Sequence, residues 1–394
     1  MGLGTQGQQQ QQQRRQQQQE PQLSAAELLH DAQLARLSGL CYRPADVLAA
    51  HLEQAGLRLV AQGRSWCTRW YAVDRVPPTS GSSGTSASNG STSTAGSSST
   101  GIRGSDIPTQ AAVAAPVPER LIFSRGVSWG SPDLDAMRVW RGLLNAWPSP
   151  FLPDRTRPRG ALVAHRGVAE MAEELWEDLR PHIAGAPGTI QLAGHSLGGS
   201  LSLLLACMAQ LELGVPGSRL GCATFGSPPV LSLSQGAEGG SAILAALGMA
   251  PGAVRNYVLD DDPVPRVLLT ADPSFQVLKA SPAAAALLQL RERVLGPGAV
   301  LSPSRFLYHT VGAVLLLRWS PERGYSIRRL AADQLAKELA MDVEALRAQP
   351  MRLLQALLDH HHSTYTEAIQ ASAAALARQG DSSSGREGGR LGGC

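Results

Sequence analysis

Apolar positions along the chain recur with two different periods, and the change from one to the other outlines the architecture. Helical spacing opens early. Ser24-Ala-Ala-Glu27 has the form of a capping box, and Leu28, Leu29, Ala32 and Leu37 follow it, with a second helix expected over Pro44–Ala55. Arg69–Val73 (RWYAV) and Arg120–Phe123 (RLIF) are short apolar runs that predict strands. From Val168 to Ile183 the period returns to 3.6, with Met171, Leu175 and Leu179 on one face and acidic residues on another. A strand is then expected at Thr189–Ala193, a helix over Gly199–Leu213, and further strands at Leu220–Phe225, Val254–Leu259 and Ala313–Leu317. Strands alternating with helices in this way predict an α/β fold, with a mostly parallel central sheet flanked by helices on both faces.

Composition sets the limits of that domain. Residues 6–19 are nearly all Gln, and 79–105 are Ser, Gly and Thr; such segments bury too little apolar surface to offset their ordering entropy. The expected organisation is a disordered Gln-rich N-terminus over 1–21 and a single domain over 22–378. A disordered surface insertion occupies 79–105 within that domain, and a Gly/Ser-rich tail runs over 379–394. The insertion falls between two predicted strands, which argues for a surface excursion within one domain rather than an interdomain linker.

A net charge of +3 from 35 basic and 32 acidic residues lacks the basic excess of a nucleic-acid-binding chain. Five cysteines (41, 67, 207, 222 and 394) without C-x-x-C spacing indicate neither a zinc site nor a disulfide framework and suit a reducing interior. The best apolar stretches, Leu201–Ala209 and Val314–Leu317, are too short to span a bilayer, and the N-terminus lacks a secretory h-region. No transmembrane segment and an intracellular location are therefore expected. Arg14 and Arg15 without acidic neighbours in residues 1–19 permit an organellar transit peptide.

The chemistry concentrates at Gly194-His195-Ser196-Leu197-Gly198, which matches the G-x-S-x-G nucleophile elbow. In a chain with 41 Gly such a match arises by chance roughly 0.4 times, so the pattern alone decides little. Its setting decides more: a predicted strand precedes it and a helix follows, as a strained strand-to-helix turn requires. A Gly-rich turn before a core helix is the competing reading. A serine nucleophile needs a base, and the base an orienting acid, in the chain order Ser, Asp or Glu, His. Asp260, Asp261 and Asp262 follow a predicted strand, ahead of Pro263 and Pro265; a solvated acidic loop is the alternative there. The histidines downstream are His309, before an apolar strand, and His360, His361 and His362, after a predicted helix. The triple His contains the favoured base, and His309 remains an alternative.

Several segments together resemble the fungal-type (class 3) lipase family, especially its plant and algal plastid-type members. They are Ile122–Val127 for F-R-G-[ST], Ala164–Gly167 for H-x-G, Gly194–Gly199 for G-H-S-L-G-G, Thr224–Ser227 for T-F-G-S, and Asp262–Arg266 for D-x-V-P-R. The resemblance runs in family order over roughly residues 24–370. It implies an α/β-hydrolase without metal or organic cofactor, with Ser196 as nucleophile and Asp262 as acid. Asp359-His360 followed by Tyr365 fits one family spacing, while His362 with Tyr365 fits the shorter fungal one; His360 is taken as the base. The oxyanion donors would be the backbone N–H groups of Val127 and Leu197, Val127 standing where the family usually has Ser or Thr.

The resemblance also places a lid over Val127–Phe151, where Trp129, Trp140 and Trp147 occur and Val139, Trp140, Leu143, Leu144 and Trp147 recur at helical spacing. Ordinary packing of that helix on the sheet is the alternative. Ala242–Met249 would line an acyl groove or belong to the core. The expected activity is release of fatty acids from acylglycerols or glycerolipids, with an acyl lipid as partner and transient contact with a membrane or lipid-droplet surface. A plastid location follows by analogy with the plant members. A lipase-like scaffold without turnover is the rival class, motivated by Val127, and thioesterase or peptidase chemistry on the same triad is a third.

Overall fold

In the computed structural model, residues 23–65, 68–75, 118–127, 139, 142–143, 145, 148–152, 162–233, 239–250, 252–267, 308–330, 338 and 358–387 are described. The Gln-rich start, the 79–105 insertion, Trp129, Trp140, Leu144 and Trp147 lie outside them, as do Cys67 and Cys394.

Helices α1 (Ala25–Leu40) and α2 (Ala45–Gln54) precede strands β1 (Leu57–Ser65), β2 (Thr68–Arg75) and β3 (Glu119–Ser124). Next come β4 (Pro148–Pro150), β5 (Leu162–His165), α3 (Arg166–Ala184), β6 (Thr189–His195), α4 (Leu197–Glu212), β7 (Leu220–Phe225) and β8 (Leu231–Leu233). The rest are α5 (Gly239–Leu247), β9 (Val254–Leu259), α6 (a single turn, Val264–Val267), β10 (Ala313–Ser320), β11 (Gly324–Leu330) and α7 (His362–Glu387). Eight strands form one sheet in the order β1-β2-β3-β6-β7-β9-β10-β11. The run from β3 to β10 is parallel, and β1, β2 and β11 join antiparallel at the edges. A small second sheet has the order β4-β5-β8. This is the α/β-hydrolase arrangement.

Alternation along the central strands divides the core in two. Ile122, Ile190, Leu192, Leu220 and Cys222 point to the face covered by α3, α4 and α5. Leu121, Phe123, Ala193, Ala223, Phe225, Tyr257 and Leu259 point to the opposite face, under α1, α2 and α7. Helix α4 is nearly apolar all round because it lies between the sheet and other helices, and Leu197–Ala209 are all buried. Helix α1 starts as its sequence indicates: Ser24 Oγ accepts the Glu27 N–H, and the Glu27 carboxylate accepts the Ser24 N–H. Asp31 of α1, wholly buried, ties that helix to β9. It accepts Arg255 Nε and Nη2, both at 2.6 Å, and the Tyr257 hydroxyl at 2.5 Å.

Some expectations need correction. The helix after the elbow begins at Leu197 rather than Gly199. Strands β1 and β11 have no counterpart in the sequence reading. Both are edge strands whose outer positions alternate to solvent, so their composition lacks the continuous apolar run that marks β6 or β7. Helix α7 continues to Glu387, into the segment read from composition as a tail. Within Ala242–Met249, Ile243, Leu244, Leu247 and Met249 are buried in the same core as α4.

Candidate active site

The site forms at the C-terminal ends of the parallel strands, where an open α/β sheet exposes helix N-termini and loop side chains. Strand β6 ends at His195 and α4 starts at Leu197, so Ser196 makes the whole turn. Its φ of 57° and ψ of −132° lie in a region that a non-glycine residue rarely adopts. The Ser196 N–H is anchored at 2.9 Å on the carbonyl of Phe225 at the end of β7. The turn closes only because its flanks are glycine. A Cβ on Gly194 would strike the Gly198 backbone, and one on Gly198 would strike the Ser124 carbonyl. The Ser124 hydroxyl in turn donates to the Gly198 carbonyl at 3.1 Å, fixing the end of β3 against the elbow.

Asp262 follows β9 and is wholly buried. Its Oδ1 accepts the Val264 N–H at 2.8 Å, and its Oδ2 accepts the hydroxyl of Tyr365 from α7. Gly226, at φ +60°, leaves room for that carboxylate, since a Cβ there would stand 2.6 Å from Oδ2. His360 sits just before α7. Its Nδ1 lies 2.9 Å from Asp262 Oδ2 and 3.1 Å from Oδ1, and its Nε2 lies 3.0 Å from Ser196 Oγ. Ser196 and His360 are each 8% exposed. Burial next to the Asp262 charge pushes the Tyr365 phenol well above its ordinary range, so the hydroxyl keeps its proton and remains a donor to the carboxylate.

The other candidate histidines make different contacts. The His309 N–H pairs with the Leu231 carbonyl in an isolated bridge. His361 Nδ1 lies 2.8 Å from Ser363 Oγ at the surface. The ring of His362 stacks on Tyr42, with centroids 5.4 Å apart and 14° between planes. Of the three aspartates, Asp262 meets His360, whereas the Asp260 side chain pairs with Arg318 at 3.1 Å.

The family described as Lipase (class 3) matches residues 121–271, which hold the elbow, the Asp262 loop and Val127. Over that stretch the chain is similar to class 3 lipases. It is 32% identical over 183 residues to "Phospholipase A1 PLIP2, chloroplastic" of Arabidopsis thaliana, covering 45% of this chain and 23% of that protein. Against "Phospholipase A1 PLIP1, chloroplastic" of the same plant it is 30% identical over 192 residues, covering 47% and 26%. The matched region thus spans about a quarter of the length of these curated relatives. Among solved structures it is similar to the Rhizomucor miehei lipase propeptide complex in a deletion-mutant form. That match has 17% identity and a TM-score of 0.45, and covers 79% of this chain and 72% of the other.

Helix α4 starts at Leu197, directly after the elbow, and a helix start leaves its first N–H groups without intrahelical partners. On the other side, the loop after β3 passes close to Ser196. A Cβ on Gly126 would lie 3.1 Å from Ser196 Cβ, and the neighbouring Val127 is buried. Most of the expected lid lies outside the described residues; of its stripe, Val139 is buried in the core and Leu143 packs against it. Among the described residues no group of three or more His, Cys, Asp or Glu is arranged to hold a metal ion, and no helix is long and apolar enough to cross a membrane.

Sequence reasoning misses two side chains at this site. His195 is read only as the variable residue of the elbow, yet its Nε2 lies 2.7 Å from the His360 carbonyl. Tyr42, just after α1, has its hydroxyl 3.2 Å from His195 Nδ1 and accepts the Gly126 N–H at 2.9 Å. No local pattern marks Tyr42, because its partners are 84 and 153 residues away.

Proposed function

We propose that this protein is a serine carboxylic-ester hydrolase that releases fatty acids from membrane glycerolipids, phospholipids foremost. The observation that carries this reading is the continuous line from Asp262 through His360 to Ser196 Oγ, with hydrogen-bond distances of 2.9 and 3.0 Å. Ser196 Oγ attacks the ester carbonyl while His360 Nε2 takes its proton. Asp262 keeps the Nδ1–H tautomer and stabilises the imidazolium. The negative charge on the former carbonyl oxygen is met by the backbone N–H groups of Val127 and Leu197. Collapse expels the alcohol, here a lysolipid, which His360 protonates. Water then attacks the acyl-enzyme with His360 again as base, and the free fatty acid leaves.

The choice of phospholipid as ester source is supported by the two plant relatives, each named a phospholipase A1. Their chloroplastic designation equally supports a plastid location. The substrate lies in a membrane, so turnover requires transient contact with that surface. A fluorophosphonate probe, followed by lipid profiling on vesicles of phosphatidylcholine, phosphatidylglycerol, galactolipid and on triacylglycerol emulsions, tests the proposal. Labelling and fatty-acid release by the wild type, both lost in Ser196→Ala, are the expected result. A wild type that neither labels nor releases fatty acid from any of the four would leave a binding scaffold as the better description.

A further inference from the structure

The polar contacts around Tyr42 and His195 reach both the loop at Gly126 and the backbone of His360. His195 Nε2 is 2.7 Å from the carbonyl of His360. A carbonyl only accepts, so Nε2 carries the hydrogen. Burial, together with the neighbouring imidazoles of His360, His362 and His361, holds His195 well below the usual imidazole range and keeps its ring neutral. Its Nδ1 is then an acceptor, and the group 3.2 Å away is the Tyr42 hydroxyl, which must donate. The remaining capacity of that oxygen accepts the Gly126 N–H at 2.9 Å. Every hydrogen in the series therefore has one available direction: from Gly126 to Tyr42 to His195 to the backbone of His360.

We propose that Tyr42 and His195 are positioning residues that couple the oxyanion loop to the catalytic base, setting the placement of the Val127 N–H and the His360 ring by one shared tie. The inference rests on the hydrolase reading of the Ser196 site. By occupying the Gly126 N–H, the Tyr42 hydroxyl leaves the next one along, that of Val127, as the loop's donor for the developing oxyanion. By holding the His360 carbonyl, His195 fixes the loop that carries the base while its imidazole cycles between neutral and charged. Tyr42 is itself held edge-on by His195, with centroids 5.9 Å apart at 75°, and face-on by the His362 ring. The stack needs glycine at position 39, where a Cβ would stand 2.6 Å from His362 Nδ1. Four distant segments, around residues 42, 126, 195 and 360, meet in this tie.

Tyr42→Phe in the full chain removes the hydroxyl and keeps the ring. With a soluble fluorogenic butyrate ester, kcat is expected to fall about 10- to 100-fold, somewhat less than the loss for deleting an oxyanion donor outright, with KM within about threefold of wild type. His195→Gln, which retains a donor and an acceptor, is expected to keep more activity than His195→Leu. Adding Tyr42→Phe to His195→Leu is expected to cost little more, since both cut the same connection. A Tyr42→Phe enzyme with kcat within twofold of wild type, or with its loss confined to KM, overturns the proposal. Nitrogen-15 NMR of labelled histidines reads the tie without turnover. His195 is expected as the neutral Nε2–H tautomer at pH 7, with its Nδ1 signal shifted in Tyr42→Phe. An Nδ1–H or doubly protonated ring would refute the tie in an active enzyme. A wild type that fails the fluorophosphonate test while showing the expected tautomer refutes the hydrolase reading instead, and with it the catalytic purpose of the pair.

Discussion

Under the proposed mechanism, Tyr365→Phe separates support of Asp262 from holding of His360. The hydroxyl makes two buried contacts, donating to Asp262 Oδ2 and accepting the Leu259 N–H at 3.2 Å. Tyr365 and Asp262 are both wholly buried, so water has no direct access to replace the lost oxygen. An unsatisfied buried N–H costs about 1–3 kcal/mol, and losing a hydrogen bond to a charged group costs about 1.5–3 kcal/mol. A destabilisation of about 4 kcal/mol is expected, lowering Tm by roughly 8–16 °C in a domain of this size. Activity should respond differently. Asp262 keeps its two contacts with His360 Nδ1 and the Val264 N–H, so the tautomer survives and kcat should fall only about tenfold. An aspartate replaced by asparagine, which imposes the wrong tautomer, loses about 10⁴. Urea denaturation, thermal melting and ester turnover on the same preparation check this. A Tm within about 2 °C of wild type would refute the claim that the hydroxyl is indispensable to this buried carboxylate. A loss of kcat near 10⁴ would show that Tyr365, and not Asp262 alone, governs the base.

Asp31→Ala would leave Arg255 and the Tyr257 hydroxyl without their shared carboxylate; unfolding in urea should show a loss of about 3–5 kcal/mol, and a loss under about 1 kcal/mol would contradict the buried clamp between α1 and β9. Acid should weaken the fold before the carboxylates titrate. Burial depresses His165 to about 4, and burial with the His361 and Arg43 charges depresses His362 to about 4. The unfolded chain therefore takes up protons that the native state refuses as pH falls from the ordinary imidazole value of 6.5 towards 4, and stability declines over that window. His165→Asn, which can still accept the Val168 N–H, should flatten the dependence of Tm on pH; an unchanged slope would rule out His165 as a contributor.

The parts of this fold legible in the sequence are those where burial leaves a continuous apolar run. Strands β7 and β9 are read with their observed bounds because burial runs along both faces of each: every position of β7 is buried, and every position of β9 except Arg255. Strand β1 is invisible because it has a single partner, a bulge near Leu59, and exposes Leu59 and Val60. At the site the same contrast holds. Ser196 and Asp262 lie in short motifs whose glycines and prolines serve turn geometry, so the local text carries them. His360 needs a choice among adjacent histidines that only the three-dimensional register of α7 resolves into three distinct environments. Tyr42 has no local signature at all, since its role comes from partners supplied by other elements.

The wide spacing of the site along the chain also bears on synthesis. Ser196 and His360 are 164 residues apart, so at about 5–20 residues per second Ser196 leaves the ribosome roughly 8–33 s ahead of His360. During that interval α1, whose Leu34 and Leu37 belong to the core beneath α7, has the sheet but not α7 to pack against. Over the same interval the growing polypeptide carries an elbow without its imidazole, so under the proposed mechanism ester turnover begins only after His360 has emerged.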